Sequence, residues 1–327
     1  MKLAVVLFNL GGPDRLDAVE PFLRNLFSDP AIIGLPAPLR LPLAWLIARR
    51  RAPIARDIYA KIGGRSPILE ETEAQARALE AALGAARVFI AMRCWKPFAD
   101  ETAQAVKAWG PDRVVLLPLY PQFSTTTTAS SLADWHRAAR RAGLEAPTSQ
   151  ICCYPTEDGF IAALADLTRQ TMAHAKPEIS YRLLLSAHGL PERIITKGDP
   201  YRRQVEQSAA ALVGRLGIVD STICFQSRVG PLKWIEPATD AEIRRAGRDG
   251  KGVIVVPLAF VSEHSETLVE LDIDYSKLAR EAGVPHYLRV PTVGTHPAFI
   301  EALAKLVREG ANGRSCSPEN NICHFRG

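Results

Sequence analysis

The chain has 327 residues, 47% of them hydrophobic, with 40 lysines and arginines against 35 aspartates and glutamates, a formal net charge of +5. That length and apolar content bury one large core or two ordinary ones and exclude a disordered chain. So mild a charge excludes a dedicated nucleic-acid binder, although Arg49, Arg50 and Arg51 form one basic run and Arg137, Arg140 and Arg141 a second cluster.

Leu3 to Asn9 reads as a core strand rather than a signal peptide, because Gly11-Gly12-Pro13-Asp14 follows with no small-residue cleavage site. Leu16 to Phe27 is amphipathic and helical. Arg87 to Met92 is strand-like, Pro97 to Trp109 is a helix opened by proline, and Arg113 to Leu119 is a strand containing Pro118. Ala129 to Ala142 is helical and Thr148 to Cys153 reads as a strand. No run reaches the length of a membrane-spanning helix. The six cysteines are expected as reduced thiols in a cytoplasmic protein, with metal binding the exception to look for.

The order then begins again. Tyr181 to Ser186 is a strand leading into Ala187-His188-Gly189-Leu190-Pro191, an echo of Asn9-Leu10-Gly11-Gly12-Pro13. Thr222 to Gln226 ends near Arg228 as Val88 to Met92 ends at Arg93, and Val253 to Leu258 holds Pro257 where the earlier strand holds Pro118. The expected fold class is therefore α/β, two similar Rossmann-like domains with parallel sheets and a ligand cleft between them. Residues 1–155 form the first half, 156–310 the second, and 311–327 a cysteine-containing tail.

Asn9 to Arg93 spans 84 positions but His188 to Arg228 only 40, so the first half carries an insertion, placed at about 31–64. Within it Ile32, Ile33, Leu35, Leu39, Leu41, Leu43, Trp45, Leu46 and Ile47 are interleaved with prolines and followed by the three arginines. A core-packing helical hairpin and an apolar lip beside a basic cluster are both open readings. The lip would suit a membrane surface or a flat apolar ligand with acidic groups.

At the end of the apolar run Val253 to Leu258 stand Ser262, Glu263 and His264, and beyond them Glu266, Glu270 and Asp274 recur every four residues. On a helix that spacing stacks three carboxylates on one face with His264 at their head. No lysine or arginine occupies the intervening positions, so the repulsion must be offset by protons, cations or a basic neighbour. Strand ends gather site residues in such folds, and here they supply Leu10, Arg93, Tyr120, Gln122, His188, Arg228, Trp234, Glu263, His264 and Glu266. Gly11-Gly12-Pro13 lacks the spacing of a nucleotide loop, and no serine is flanked as in a nucleophile elbow. Ser124 to Thr128 reads as a helix cap.

The ordered motifs resemble the ferrochelatase family over nearly the whole chain. They are Phe-Asn-Leu-Gly-Gly-Pro at 8–13, Arg-Arg-Ala-Pro at 50–53, Gly-Gly-Arg-Ser-Pro-Ile at 63–68 and Tyr-Pro-Gln-Phe-Ser at 120–124. Ser-Ala-His-Gly-Leu-Pro at 186–191, Gly-Asp-Pro-Tyr at 198–201, Phe-Gln-Ser-Arg-Val-Gly-Pro at 225–231 and the acidic stretch 262–275 continue the match. The resemblance implies insertion of Fe²⁺ into protoporphyrin IX or coproporphyrin III late in haem synthesis, with His188 as the catalytic histidine and Glu266 its opposite acid. His188, His264, Glu266, Glu270 and Asp274 would handle metal and protons. Arg51, Tyr59 and Ser66 match positions that meet the porphyrin propionates, Leu10, Arg93 and Trp234 positions lining the macrocycle, and Gln122 is grouped with them as substrate-binding. The insertion matches the family's lip, so peripheral membrane contact through residues 31–51, at the inner face of the membrane, is expected; no nucleic-acid partner is. The sequence does not set the oligomeric state.

Some members carry a [2Fe-2S] cluster, for which Cys152, Cys153, Cys316 and Cys323 offer four ligands. The interior position used in animal members falls at about Thr126, which cannot ligate. Adjacent strand residues face opposite ways, so Cys152 and Cys153 could both serve only where the strand has ended. Two other classes stay open at this point: a chelatase for another metal and tetrapyrrole, and a non-catalytic porphyrin or haem binder.

Overall fold

The computed structural model describes residues 2–228, 230 and 232–312. Cys316 and Cys323, and with them the tail from residue 313, lie outside the described residues. The chain divides into two compact units, one running to Tyr154 and resuming at Leu303, the other Pro155–Ala302.

In the first unit the elements are β1 (Leu3–Asn9), α1 (Val19–Phe27), α2 (Ala37–Ala60), α3 (Ile68–Leu83), β2 (Ala86–Met92), α4 (Ala99–Trp109), β3 (Arg113–Pro118), α5 (Ser130–Ala142) and β4 (Thr148–Gln150). The four strands form a parallel sheet in the order β2-β1-β3-β4. Central β1 reads Leu-Ala-Val-Val-Leu-Phe-Asn with everything after Leu3 buried, the continuous apolar run that a strand covered on both faces requires.

The second unit repeats the plan with α6 (Asp158–Met172), β5 (Tyr181–His188), α7 (Glu192–Thr196), α8 (Tyr201–Leu216), β6 (Ser221–Gln226), α9 (Thr239–Arg248), β7 (Gly252–Pro257), α10 (Tyr275–Glu281), β8 (Tyr287–Arg289) and α11 (Pro297–Ala311). Its parallel sheet has the order β6-β5-β7-β8. The correspondence reaches single bonds: Leu119 N donates to Phe8 O and Leu258 N to Ser186 O, each at 2.8 Å. Asn9 and His188 end the two central strands, and Pro118 and Pro257 end β3 and β7. The two halves also share a feature that the sequence reading did not contain. A π-helical stretch follows each of those prolines, Thr125–Ala129 in the first unit and Glu266–Asp274 in the second.

The C-terminal part of α11 belongs to the first unit, where Ser149 Oγ donates to Gly310 O at 2.7 Å and Arg308 Nη2 to Ala82 O at 3.0 Å. Strand β4 is shorter than the expected Thr148 to Cys153. After Ile151 N donates to Leu116 O the chain leaves the ladder, and Tyr154 N donates instead to Pro121 O.

The insertion is one 24-residue helix, α2, rather than a hairpin, with Pro42 and Pro53 inside it. Ala44, Ala48, Ala52 and Tyr59 are its buried residues; a stripe of small side chains lets it lie close on Val19, Phe22 and Leu23 of α1. Leu39, Leu41, Trp45, Leu46 and Ile54 remain exposed. Ala52 is wholly buried and Leu39 is 62% exposed, so Ala52→Leu is expected to cost about 1–3 kcal/mol by overpacking. Leu39→Ser should stay within about 0.5 kcal/mol of the parent. Urea unfolding midpoints of the two variants check this contrast.

Candidate active site

In the second unit the chemistry collects where β5, β6 and β7 end. His188 closes β5 and is the register partner of Gln226, which closes β6. Chain order departs from strand order on either side of β5, the position at which open α/β sheets bind ligands. Gly189 follows at once because a side chain there would collide: a Cβ would sit 2.8 Å from Gln226 O and 3.3 Å from Trp234 Cε3. Trp234 is thereby placed over the turn that leaves His188. Its segment is tied down by Ile235 N donating to Leu190 O at 3.0 Å and Glu192 N to Lys233 O at 2.9 Å. The buried Trp234 Nε1 has no hydrogen-bond partner among the described residues.

His188 Nδ1 donates to Glu266 Oε2 at 2.7 Å, which fixes Nδ1 as the protonated nitrogen and leaves the Nε2 lone pair to take up a proton. Burial alone would depress the imidazole pKa; the charge and hydrogen bond of Glu266, aided by the charge of Glu270, outweigh it and raise the pKa above its usual value. For Glu266 burial works against ionisation, but His188, His264 and the Ser227 hydroxyl hold its carboxyl below the ordinary glutamate range. Both shifts favour an ion pair.

Glu270 has the opposite fate. Burial, and then the neighbouring Glu266 charge, raise its pKa. It is nevertheless closely bonded: Ser227 N donates to Oε1 at 2.8 Å, Tyr275 Oη to Oε1 at 2.9 Å, and Gln226 Nε2 to Oε2 at 3.1 Å. Ser227 Oγ lies 2.5 Å from Glu270 Oε2 and 3.1 Å from Glu266 Oε2. Gln226 is itself locked, accepting from Ser186 Oγ at 2.7 Å. Its Nε2 also donates to Glu266 O at 3.1 Å, a backbone carbonyl of the π segment.

His264 donates from Nδ1 to Ser262 O at 3.0 Å, packs tilted against Phe260 with ring centroids 4.8 Å apart, and presents Nε2 4.0 Å from Glu266 Oε2. Arg289 on β8 braces the π segment at two points, bonding Glu263 Oε1 at 2.6 Å and Asp272 Oδ2 at 2.6 Å. The four-residue carboxylate spacing thus lies in a π helix, a wider turn than the α helix expected and one common at functional sites. Glu266 and Glu270 stay adjacent, whereas Asp274 stands at the exposed end of the segment. Among the described residues no group of three or more His, Cys, Asp or Glu is arranged as a metal cage.

Of the remaining predicted residues, Arg228 pairs with Asp240 at 2.8 Å in the second unit, and the others among the described residues sit in the first. Leu10 and Tyr59 pack in one apolar cluster with α1 and α2, and Ser66 is buried against Gly12, whose Cβ would come within 2.5 Å of it. Arg51 stacks 5.7 Å over Phe27, and burial lowers its pKa. Gln122 is buried just beyond β3. Arg93 is engaged by Asp29 at 2.9 Å and by Ser130 Oγ at 2.7 Å. Cys152 and Cys153 are buried beside Phe123 with their sulfurs 3.5 Å apart; the early end of β4 brings both thiols to one side. Burial pushes the Cys94 and Cys224 thiols up to about 12, so they stay protonated.

Sequence reasoning assigned no role to Gln226, Ser227, Tyr275 or Arg289. Gln226 and Ser227 lie inside a quoted motif, which was the signal available, but their bonds run to residues some forty positions away.

The model of the family described as Ferrochelatase matches residues 2–311. A curated ferrochelatase of Caulobacter vibrioides is 56% identical, covering 99% of this chain and 94% of its own length. One from Phenylobacterium zucineum is 58% identical, covering 93% and 90%. Among solved structures, SirB from Bacillus subtilis with Fe3+ aligns at a TM-score of 0.60 and 16% identity, covering 96% of this chain and 99% of that one, a likeness of fold. With the family match spanning both units and relatives this similar over nearly their whole length, the chain belongs to the ferrochelatase family.

Proposed function

We propose that the chain inserts Fe²⁺ into protoporphyrin IX or coproporphyrin III, releasing the two pyrrole protons, late in haem synthesis. The observation that carries this reading is the His188–Glu266 pair, a proton acceptor fixed in one tautomer at the end of a central parallel strand. Metal insertion exchanges two N–H protons for one dication, so the site needs a base and an acidic route away from it. Neutral His188 offers Nε2 to the pyrrole proton, and the imidazolium so formed is stabilised by the ionised Glu266. Glu270, His264 and the exposed Asp274 continue the carboxylate and imidazole path. Oxygen ligands of this kind attract Fe²⁺ and still release it. A flat porphyrin holds its nitrogen lone pairs in its own plane, so a pocket that bends the ring would lower the barrier.

Trp234 and Leu10 are assigned to the macrocycle, with Arg93 and Gln122 at the strand ends beside it, and Arg51, Tyr59 and Ser66 to the propionates. In this reading residues 1–155 and 156–310 act as two halves, with residues 31–64 as the lip. The exposed Leu39, Leu41, Trp45, Leu46 and Ile54 on α2, with Arg49 over the Trp45 ring at 5.4 Å, support contact of a cytoplasmic protein with a membrane surface. No described helix is long and apolar enough to cross a membrane.

We propose also that Cys152 and Cys153 contribute to a [2Fe-2S] cluster completed by Cys316 and Cys323. Two buried sulfurs at 3.5 Å fit a pair of thiolates on one tetrahedral metal, whose metal–sulfur bonds are about 2.3 Å long. Bound there, the group would supply a covalent tie between the tail and the first unit.

Replacing His188 by alanine removes the base. Anaerobic Fe²⁺ insertion should fall at least about a hundredfold, while porphyrin fluorescence quenching still reports binding; unimpaired turnover would refute the role of His188. Because protonated His188 cannot accept, activity should be lost as pH falls through its raised pKa. The acidic limb of kcat/KM is therefore expected above about pH 6.5, the unperturbed histidine value, and a limb at lower pH contradicts the ion pair. Protein made anaerobically with ample iron should absorb in the visible, and Cys152→Ser should remove that absorption. Colourless parent protein rules the cluster out.

A further inference from the structure

The carboxylates of the π segment owe their placement to the two residues that leave β6. Ser227 has φ +64° and is the one non-glycine residue with positive φ among those described. A side chain pays a steric penalty in that left-handed region, so the conformation must be held by its surroundings. The bonds show how. In this geometry a single residue turns both its donors on one carboxylate, N–H to Glu270 Oε1 at 2.8 Å and the hydroxyl to Glu270 Oε2 at 2.5 Å. The same hydroxyl reaches Glu266 Oε2 at 3.1 Å, the oxygen that accepts from His188. Ser227 therefore touches both carboxylates that repel each other and stands one bond away from the imidazole.

We infer that Ser227 is a positioning residue: its hydroxyl bridges Glu266 to Glu270 and keeps the Glu266 carboxylate on His188 Nδ1. The inference takes what these carboxylates do from the proposed function, but not how they are held. Gln226 is the base of the device, since it is locked by Ser186 and bonds both Glu270 and the backbone of Glu266. Ser227 stands on it as the adjustable contact. Position 227 has two demands, a left-handed backbone and a short hydroxyl. Glycine meets the first alone, alanine meets neither, and threonine supplies the hydroxyl with a β-branch that this backbone resists.

Ser227→Gly isolates the hydroxyl, because glycine is at ease at this φ and retains the N–H to Glu270. The variant should unfold at or above the parental temperature. Its kcat/KM for Fe²⁺ should fall about tenfold or more, as expected when a reacting group is mispositioned, while the Kd for porphyrin stays within about twofold. Parental kinetics would overturn the inference. So would a weakened porphyrin Kd with kcat unchanged, which would make Ser227 a porphyrin contact. A crystal structure of Ser227→Gly reads the placement without turnover: Glu266 moved off His188 is the expected result, and Glu266 unmoved is the contrary one. Should the parent protein insert no metal, the proposed function fails while the crystal structure still decides the role of Ser227.

Discussion

The structure of the site depends on one short contact, His188 Nδ1 to Glu266 Oε2. It joins the end of a central strand to a π-helical segment that follows a different strand, and it pairs a base with the charge that stabilises its protonated form. Like charges work against it, because Glu270 stands next to Glu266 on the same segment. The repulsion is met by donors rather than by cations: Ser227, Gln226 and Tyr275 saturate Glu270, whose pKa is raised, while Glu266 stays ionised opposite His188. Two carboxylates on one segment thus acquire different proton affinities from their surroundings, the arrangement by which acid and base roles are separated.

Geometry at a distance supports that contact. Arg289 crosses from β8 to hold Glu263 and Asp272, so the segment is fixed before His264 and again beyond Glu270. A π helix leaves carbonyls displaced from the α pattern, and Gln226 Nε2 takes up one of them at Glu266. The first unit has the same strand-proline-π order after β3, with Thr125–Ala129 in place of the acidic segment. Both halves therefore have a π segment at this place, and only that of the second half bears carboxylates.

Much of this was legible in the sequence for a physical reason. Buried parallel strands are continuous apolar runs, so β1, β3, β5 and β7 could be read directly and aligned by Leu10 with His188 and Pro118 with Pro257. The spacing of Glu266 and Glu270 was equally visible, as was the insertion that became α2. The positive φ of Ser227, the π conformation and the engagement of Arg93 by Asp29 and Ser130 were not. Each of these is set by partners distant in the chain, and local periodicity carries no record of them. The outward apolar face of α2 lay between these cases: the residues were evident, but the alanine stripe that turns Leu39 and Trp45 away from the core appears only once α1 is in place.

The most direct test of the account is an anaerobic comparison of the parent protein with Glu266→Gln, mixed with Fe²⁺ and in turn with protoporphyrin IX and coproporphyrin III, and followed by the change from free-base to metalloporphyrin visible bands. The account predicts conversion by the parent and a loss of at least about a hundredfold in the variant, since glutamine keeps the shape and removes the charge that stabilises the protonated imidazole. A parent that leaves both free-base porphyrins unchanged, or a variant as fast as the parent, would contradict it.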